Sequence, residues 1–183
     1  MSATAAPEFW TAGMVRALPP DGQRHETVHG ELLVTPAPRV WHEIVADRLV
    51  DALKEYLAVE PVGMALKATA DISWAPDVLV QPDVFVAPVS ELRTLDWAAV
   101  QSLLLVVEIL SPSSARADRF AKRRVYQEFG VPLYWAVDAD ARQVECWTPE
   151  ALFPRVQSER ISWHPLGAAA PCFIELAELF RAL

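Results

Sequence analysis

Two acidic residues stand in segments of the chain whose other residues are almost all hydrocarbon. Asp83 follows Pro82 at the head of the apolar residues 84–86, and Glu108 comes directly after the apolar run 103–107. A carboxylate on a buried strand is costly unless another group pairs with it. Two such strands, each with one carboxylate, favour a shared cation. The sequence therefore predicts a metal site formed by Asp83 and Glu108.

The expected ion is Mg²⁺, with Mn²⁺ as a substitute, because Mg²⁺ binds one or two carboxylates together with waters and substrate phosphate oxygens. The backbone carbonyl of Ile109, next to Glu108, is a candidate for a further oxygen ligand. An ion held in this way lowers the pKa of its bound water and neutralises charge on a phosphodiester. The predicted chemistry is hydrolysis by a metal-activated water.

A helix is predicted from about residue 114 to residue 129, starting close to the end of the Glu108 strand. Asp118, Lys122 and Tyr126 are four residues apart and share one face of this helix. If that face turns toward the carboxylates, Lys122 is the cation that orients the attacking water or stabilises the phosphorus. The alternative is an ordinary surface pair between Asp118 and Lys122, worth a few tenths of a kcal/mol.

The charge of the chain is unevenly distributed. The net charge of -8 argues against a surface that binds nucleic acid indiscriminately. A basic run nevertheless occupies the same predicted helix, opposed only by Asp118. We expect four arginines of this run to hold a nucleic-acid backbone on either side of the site: Arg116, Arg119, Arg123 and Arg124.

Apolar spacing and turn residues predict alternating helices and strands. Helices are predicted at 8–18, 39–60 and 114–129 and from about 175, and strands at 24–28, 31–35, 64–74, 78–86, 103–110, 133–137, 143–147 and 155–163. This order predicts the α/β (α+β) class, a mixed central sheet flanked by helices. A chain of 183 residues is most simply one domain, here 1–183.

The composition predicts a globular protein, with 52% hydrophobic and 22% charged residues. No apolar run approaches the length of a bilayer span, and residues 1–7 lack the features of a secretory signal. Two cysteines, Cys146 and Cys172, are too few for a disulfide scaffold. We therefore expect a cytoplasmic protein with no membrane partner.

Several strings of residues, taken together, resemble the Uma family of "putative restriction endonucleases" in the PD-(D/E)xK nuclease superfamily. The strings are residues 81–86, residues 107–113, Asp118-x3-Lys122-x3-Tyr126, residues 130–138, His29-Gly30-Glu31-Leu32 and Pro38-x3-His42. The resemblance covers nearly the whole chain. It implies a restriction-endonuclease-like core and a magnesium-dependent phosphodiesterase acting on nucleic acid, with DNA as the first expectation. The cutting of both strands of a duplex would favour a homodimer.

Matched residue by residue, the resemblance makes Asp83 the aspartate of the motif and Glu108 its second acid. Where the superfamily places a lysine, two residues after Glu108, this chain has Leu110. Lys122 would then be a migrated replacement that reaches in from the helix. The resemblance also implies accessory roles at the site for Glu31 and His42. Asp118 and Tyr126, on the helix face of Lys122, are further accessory candidates. The alternative for His42 is a histidine on a partly buried helix face.

Two other interpretations stay open. The first is a binding module that keeps the fold without activity, which Leu110 and the acidic net charge favour. The second is a zinc hydrolase, because His25-Glu26-x-x-His29 matches the pattern H-E-x-x-H. In zinc hydrolases a helix places both histidines on one face. Here a turn precedes the segment and Gly30 follows it, so a strand entering a hairpin is predicted instead.

Overall fold

The structure is a computed structural model that describes residues 8–183. Residues 1–7, where no secretory signal is predicted, lie outside the described residues. Within residues 8–183, no helix combines the length and the apolar character needed to cross a membrane.

Twelve strands and five short or medium α-helices make up this part of the chain. The strands are β1 (Arg24–Val28), β2 (Glu31–Thr35), β3 (Met64–Lys67), β4 (Ile72–Ala75), β5 (Val78–Val80), β6 (Val84–Ala87), β7 (Leu105–Ile109), β8 (Tyr134–Asp138), β9 (Gln143–Trp147), β10 (Arg155–Gln157), β11 (Arg160–Trp163) and β12 (Cys172–Glu175). The helices are α1 (Ala12–Arg16), α2 (Val40–Val59), α3 (Val89–Leu92), α4 (Arg123–Glu128) and α5 (Leu176–Leu179). A 3₁₀ turn (Trp97–Ala99) and a π-helical turn (Ala117–Lys122) complete the helical elements.

A six-stranded sheet with the order β10-β9-β8-β7-β6-β3 forms the centre of the fold. Strands β7 and β8 are parallel, and the other neighbouring strands are antiparallel. All five residues of β7 are buried, as expected for a strand covered on both faces. The predicted mixed central sheet is confirmed.

Helix α2 covers one face of this sheet. Its buried residues Val45, Leu49 and Leu53 recur at four-residue intervals. They belong to one core cluster with Val84 of β6 and Val107 of β7. The β11–β12 ribbon and α5 pack in the same cluster. This side of the sheet is a large apolar core and holds none of the acidic residues of interest.

The other face carries a second sheet, of order β2-β1-β5-β4, and a helical segment. Phe85 and Val106 of the central sheet pack there with Val28, Val80 and Tyr126. One layer of the fold is therefore partly a sheet, where the sequence pattern predicted helices alone. Every acidic side chain of the candidate site lies in this layer.

The helical segment of this layer, which we call the site helix, runs without interruption from residue 115 to residue 128. Its middle is widened into the π-helical turn, so that the backbone N–H of Arg123 donates to the carbonyl of Asp118, five residues earlier. Such π-bulges are rare and occur frequently at functional sites. The helix lies where the sequence predicts it, but the widened turn was not predicted.

Three predicted strands are each divided in two. Residues 78–86 form β5 in the second sheet and β6 in the central sheet, and the chain crosses between the sheets at residues 81–83. Pro82 has no N–H to donate to a ladder, which explains the break. The segments predicted at 64–74 and 155–163 likewise divide, into β3 and β4 and into β10 and β11.

Candidate active site

Asp83 and Glu108 lie opposite each other on neighbouring antiparallel strands. The β6–β7 register pairs Val84 with Val107 and Phe85 with Val106, so the next pair along the ladder is Asp83 with Glu108. Directly opposed residues of an antiparallel pair point to the same face, with Cβ atoms about 4.5–5.5 Å apart. The two carboxylates therefore share the face that carries Phe85.

Glu108 is completely buried and only partly satisfied. Its Oε1 accepts a hydrogen bond of 2.6 Å from the hydroxyl of Tyr126 and lies 2.6 Å from Lys122 Nζ. Its Oε2 has no hydrogen-bond partner among the described residues. Burial raises the pKa of Glu108 well above its ordinary value, and the neighbouring charge of Asp83 adds to this, while Lys122 opposes it.

Both oxygens of Asp83 are engaged. Oδ2 accepts from the backbone N–H of Ile109 at 2.8 Å, and Oδ1 accepts from Arg24 Nη1 at 2.6 Å. His42 Nε2 lies 3.5 Å from the same Oδ1. Burial alone would raise the pKa of Asp83, but His42 and Arg24 together hold it below its ordinary value. Asp83 is therefore a carboxylate in this environment.

Lys122 is 1% exposed, so the alternative of an ordinary surface pair is wrong. Its Nζ lies 2.6 Å from Glu108 Oε1, 2.9 Å from Glu26 Oε1 and 3.6 Å from Asp118 Oδ1. Burial by itself would lower the pKa of this amine, but the three carboxylates, Glu108 first, raise it above its ordinary value. The side chain is a buried ammonium at the centre of an acidic cluster.

The sequence pattern missed two residues of this cluster, Glu26 and Arg24. Glu26 is 1% exposed, and its Oε1 also accepts from the backbone N–H of Gln81 at 2.7 Å. Arg24 Nε lies 3.7 Å from Glu26 Oε2. Alternation along β1 places both residues on the face of the buried Val28. That alternation could have identified them, but Glu26 was considered only as part of the H-E-x-x-H pattern.

A cleft of about 910 Å³ opens onto the edge of the cluster. Arg24, His42 and Asp83 line it, together with Asp71 and the residues 111–114 that precede the site helix. Glu108, Glu26 and Lys122 do not line it and lie underneath. Asp83 is thus the carboxylate through which the cluster meets the cleft.

The four accessory candidates have different positions. Asp118 is 1% exposed, its Oδ2 has no partner among the described residues, and burial raises its pKa. Tyr126 and His42 contact Glu108 and Asp83, as described above. Glu31 is exposed at the turn end of the β1–β2 hairpin, opposite Val28, and is not brought into the cluster.

The four arginines of the basic run do not form one free surface. Arg119 pairs with Glu145 at 2.7 Å and with Asp138 at 3.1 Å. Arg123 donates to the carbonyl of Arg119 and lies over the ring of Trp147, 4.4 Å from its centroid. The two that remain exposed are Arg116 and Arg124.

The H-E-x-x-H segment lies on strand β1 and its following turn, as predicted, and not on a helix. The ring of His25 lies 3.5 Å from Asp21, and His29 contacts Asp77 and Glu128. Since no helix brings the two histidines onto one face, the geometry that a zinc hydrolase needs is missing here. The zinc interpretation is wrong for this segment.

Residues 8–183 contain no group of three Asp, Glu, His or Cys side chains placed to bind one metal ion. Mg²⁺ does not require such a group, because it retains several waters and uses one or two carboxylates. The oxygen donors fit this ion: Glu108 Oε2 lacks a partner, and Asp83 faces the cleft. The Ile109 backbone contacts Asp83 through its N–H.

Comparisons with known proteins agree with the fold and with the resemblance. The model of the Uma2 family, described as "Putative restriction endonuclease", matches residues 14–169. A crystal structure from Anabaena variabilis ATCC 29413, described as a "putative nuclease", is 19% identical, with a TM-score of 0.77. The match covers 93% of this chain and 97% of that one, and at this identity it shows a shared fold. No curated protein matches.

Proposed function

Because the chain belongs to the Uma2 family, described as "Putative restriction endonuclease", we propose that it is a metal-dependent endonuclease that hydrolyses phosphodiester bonds. One observation carries the proposal. Among residues 8–183, four buried carboxyl groups, those of Glu26, Asp83, Glu108 and Asp118, surround two permanent cations, Arg24 and Lys122. A buried excess of negative charge is costly unless the carboxyl groups take up protons or another cation enters, and burial does raise the pKa of Glu108 and of Asp118. A divalent ion at the edge facing the cleft meets that need.

The residues that would hold the ion are Asp83, Glu108 and the backbone carbonyl of Ile109. In a strand the N–H and C=O of one residue point to the same edge. The Ile109 carbonyl therefore belongs on the edge where its N–H meets Asp83. When bound, Mg²⁺ supplies an activated water and neutralises charge on the phosphodiester.

The site helix supplies the remaining groups of the mechanism. Lys122 takes the place of the lysine absent at Leu110, and its ammonium keeps Glu108 oriented beside the developing negative charge. The hydroxyl of Tyr126 fixes the same oxygen of Glu108 from a second direction. His42, at the floor of the cleft, orients the cleft-facing oxygen of Asp83.

The substrate is nucleic acid, with DNA as the first choice. Asp83 lines the cleft, and the exposed Arg116 is two residues beyond Ser114, which also lines it. A homodimer would bring two such sites to the two strands of a duplex. The exposed Leu152 and Phe153, next to the edge strand β10, offer apolar surface for a second copy.

Nicking of a supercoiled plasmid tests the proposal. We expect cleavage with Mg²⁺ or Mn²⁺ and none with EDTA. Asp83→Asn and Glu108→Gln keep side-chain size and should each lower the rate about 100-fold or more, the cost of removing one preorganised charge. Asp71→Asn is the matched control, because Asp71 lines the same cleft but contacts Gln81 and Arg16. Equal rates for all four proteins would reject the proposal.

The inactive binding module is the second candidate. Two observations favour it. Arg24 and the backbone N–H of Ile109 already donate to the two oxygens of Asp83, and Leu110 stands in the position of the motif lysine. A folded wild-type protein that binds duplex DNA without cutting it, at any divalent ion tested, would select this candidate.

A further inference from the structure

We propose that Arg24 is an exchangeable counter-ion of Asp83, which occupies the cleft-facing oxygen of that carboxylate until a divalent ion displaces it. The inference rests on the proposed function, since it concerns access of the metal to the same site. It assigns to Arg24 a role in deciding when the site can be loaded.

The contact geometry of Asp83 leaves one oxygen for exchange. Oδ2 is fixed by the backbone N–H of Ile109, on the neighbouring strand. Oδ1 is held by Arg24 Nη1, which also donates to the carbonyl of Gln81 at 3.1 Å. His42 Nε2 also lies 3.5 Å from Oδ1, so both lone pairs of this oxygen have a neighbour. A metal ion that binds Oδ1 therefore takes the place of the guanidinium, which carries the same sign of charge.

Arg24 cannot release Asp83 by losing its charge, because a guanidinium stays protonated in proteins. The guanidinium can release Asp83 only by moving away from it, and the position of Arg24 allows that movement. The side chain is 17% exposed and lines the cleft, so a path to solvent lies beside it. Lys122, in contrast, is enclosed by three carboxylates and does not line the cleft. Of the two permanent cations, Arg24 is the one that can leave.

The exchange gives the site two states, which differ in the counter-ion of Asp83. With Arg24 in place, the guanidinium compensates the charge of Asp83. With Arg24 displaced, Asp83 and Glu108 present free oxygens side by side. The apparent metal affinity is then the intrinsic affinity multiplied by the fraction of molecules in which Arg24 has left Asp83.

The test is isothermal titration of Mn²⁺ into the wild-type protein, Arg24→Gln and Arg39→Gln. Arg39 lines the same cleft and carries the same charge, but its ion-pair partner is Asp140 at 4.0 Å. We expect Arg24→Gln to bind Mn²⁺ about 10-fold more tightly, the factor for a binding-competent state populated about one-tenth of the time. Arg39→Gln should stay close to the wild-type value, which separates displacement from a general change of charge.

Arg24→Lys keeps the charge but loses the planar fork of the guanidinium, so its Mn²⁺ affinity should lie between those of the wild type and Arg24→Gln. If Arg24→Gln does not fold, as judged by circular dichroism, Arg24→Lys decides alone. An affinity at or below the wild-type value in the folded variant would overturn the inference.

The same titrations distinguish this inference from the proposed function. Wild-type protein that cuts DNA and binds Mn²⁺ no more weakly than Arg24→Gln contradicts the role of Arg24 and leaves the nuclease intact. Wild-type protein that neither cuts nor binds, beside an Arg24→Gln variant that binds Mn²⁺, contradicts the nuclease and supports the counter-ion. Absence of binding in every variant contradicts both.

Discussion

Lys122 is a lysine whose surroundings differ entirely from those of the lysines on the surface. A buried cation between carboxylates adds little net stability, because desolvation offsets the attraction, yet the removal of one partner leaves uncompensated charge behind. Glu26, Glu108 and Asp118 would be that charge. The residue that we propose to act in catalysis is therefore also one on which folding depends.

We expect Lys122→Met to lower the free energy of unfolding by about 3–5 kcal/mol near neutral pH. The loss should shrink as the pH falls. Burial raises the pKa of Glu108 in the folded protein, and the charge of Lys122 opposes this rise. A raised pKa contributes stability at low pH that is lost as the pH rises through the folded value. Without Lys122 the pKa of Glu108 rises further, so more stability is lost as the pH rises.

Urea denaturation at acidic and alkaline pH measures this difference. Lys67→Met is the matched control, since Lys67 also contacts two carboxylates, those of Glu43 and Asp47, but is 37% exposed. Its cost should not exceed about 1 kcal/mol at either pH. Equal costs for the two substitutions would contradict the burial of Lys122.

The hydroxyl of Tyr126 offers a finer test at the same scale. Tyr126→Phe keeps the ring against Tyr134 and Trp74 but leaves Glu108 Oε1 without its 2.6 Å donor. Lys122 Nζ still contacts the same oxygen, so we expect a loss of about 0.5–1.5 kcal/mol of unfolding free energy, the net contribution of one hydrogen bond. Tyr56→Phe, which removes an exposed hydroxyl hydrogen bond to Ala170, should cost less. The reverse order would argue against the contact.

Sequence reasoning at this scale succeeded where an acid interrupts an apolar strand. Asp83 and Glu108 were found in this way, and they share one face of the sheet as expected. Glu26 was missed because β1 is short and its neighbours His25 and Thr27 are polar, so the acid did not stand out. The engagement of Asp83 by Arg24 depends on the crossing of two sheets, which no local pattern encodes.

At the scale of elements, the position of Asp83 depends on how the chain changes sheets. Strand β5 belongs to the second sheet and β6 to the central one, and residues 81–83 make the step between them. Periodicity merged β5 and β6, since both are wholly buried and apolar. A continuous apolar run carries no signal of which sheet each part joins, so the division could not be predicted.

Gly63, just before β3, lies close to the end of β6 that is farther from Asp83. A Cβ at Gly63 would lie 2.8 Å from Val86 Cγ1 and 2.9 Å from the carbonyl of Ala87. Because the second atom is backbone, Gly63→Ala should shift β3 or β6 and cost about 1–3 kcal/mol, as overpacking does. Thermal unfolding measures it. Gly13→Ala, where the nearest atom is 3.9 Å away, is the control and should be tolerated.

At the scale of the whole molecule, the chain is an acidic body with net charge -8. The sequence pattern treated the basic run of the site helix as one cationic patch. The structure divides it, because Asp138 and Glu145 come from strands β8 and β9, far along the chain from Arg119. Which arginines remain free for a partner is a tertiary property, and it could not be predicted from the run itself.

The salt dependence of DNA binding should report this division. Each phosphate contact contributes a slope of about -0.9 to log K against log salt for duplex DNA. We expect Arg116→Gln and Arg124→Gln each to reduce the slope by about one. Arg119→Gln and Arg123→Gln are the matched controls and should leave it nearly unchanged. Fluorescence anisotropy with a labelled duplex in EDTA measures binding without cleavage, and equal effects of all four substitutions would contradict the division.

The π-helical turn Ala117–Lys122 has a consequence for how such proteins diverge. A wide turn accommodates one more residue than an ordinary one, and every side chain after it is rotated by about 100° relative to an unbroken α-helix. A deletion of one residue there would swing the lysine away from its carboxylates without altering any residue type. An insertion or deletion in this turn would therefore change which side chain of the site helix meets Glu108.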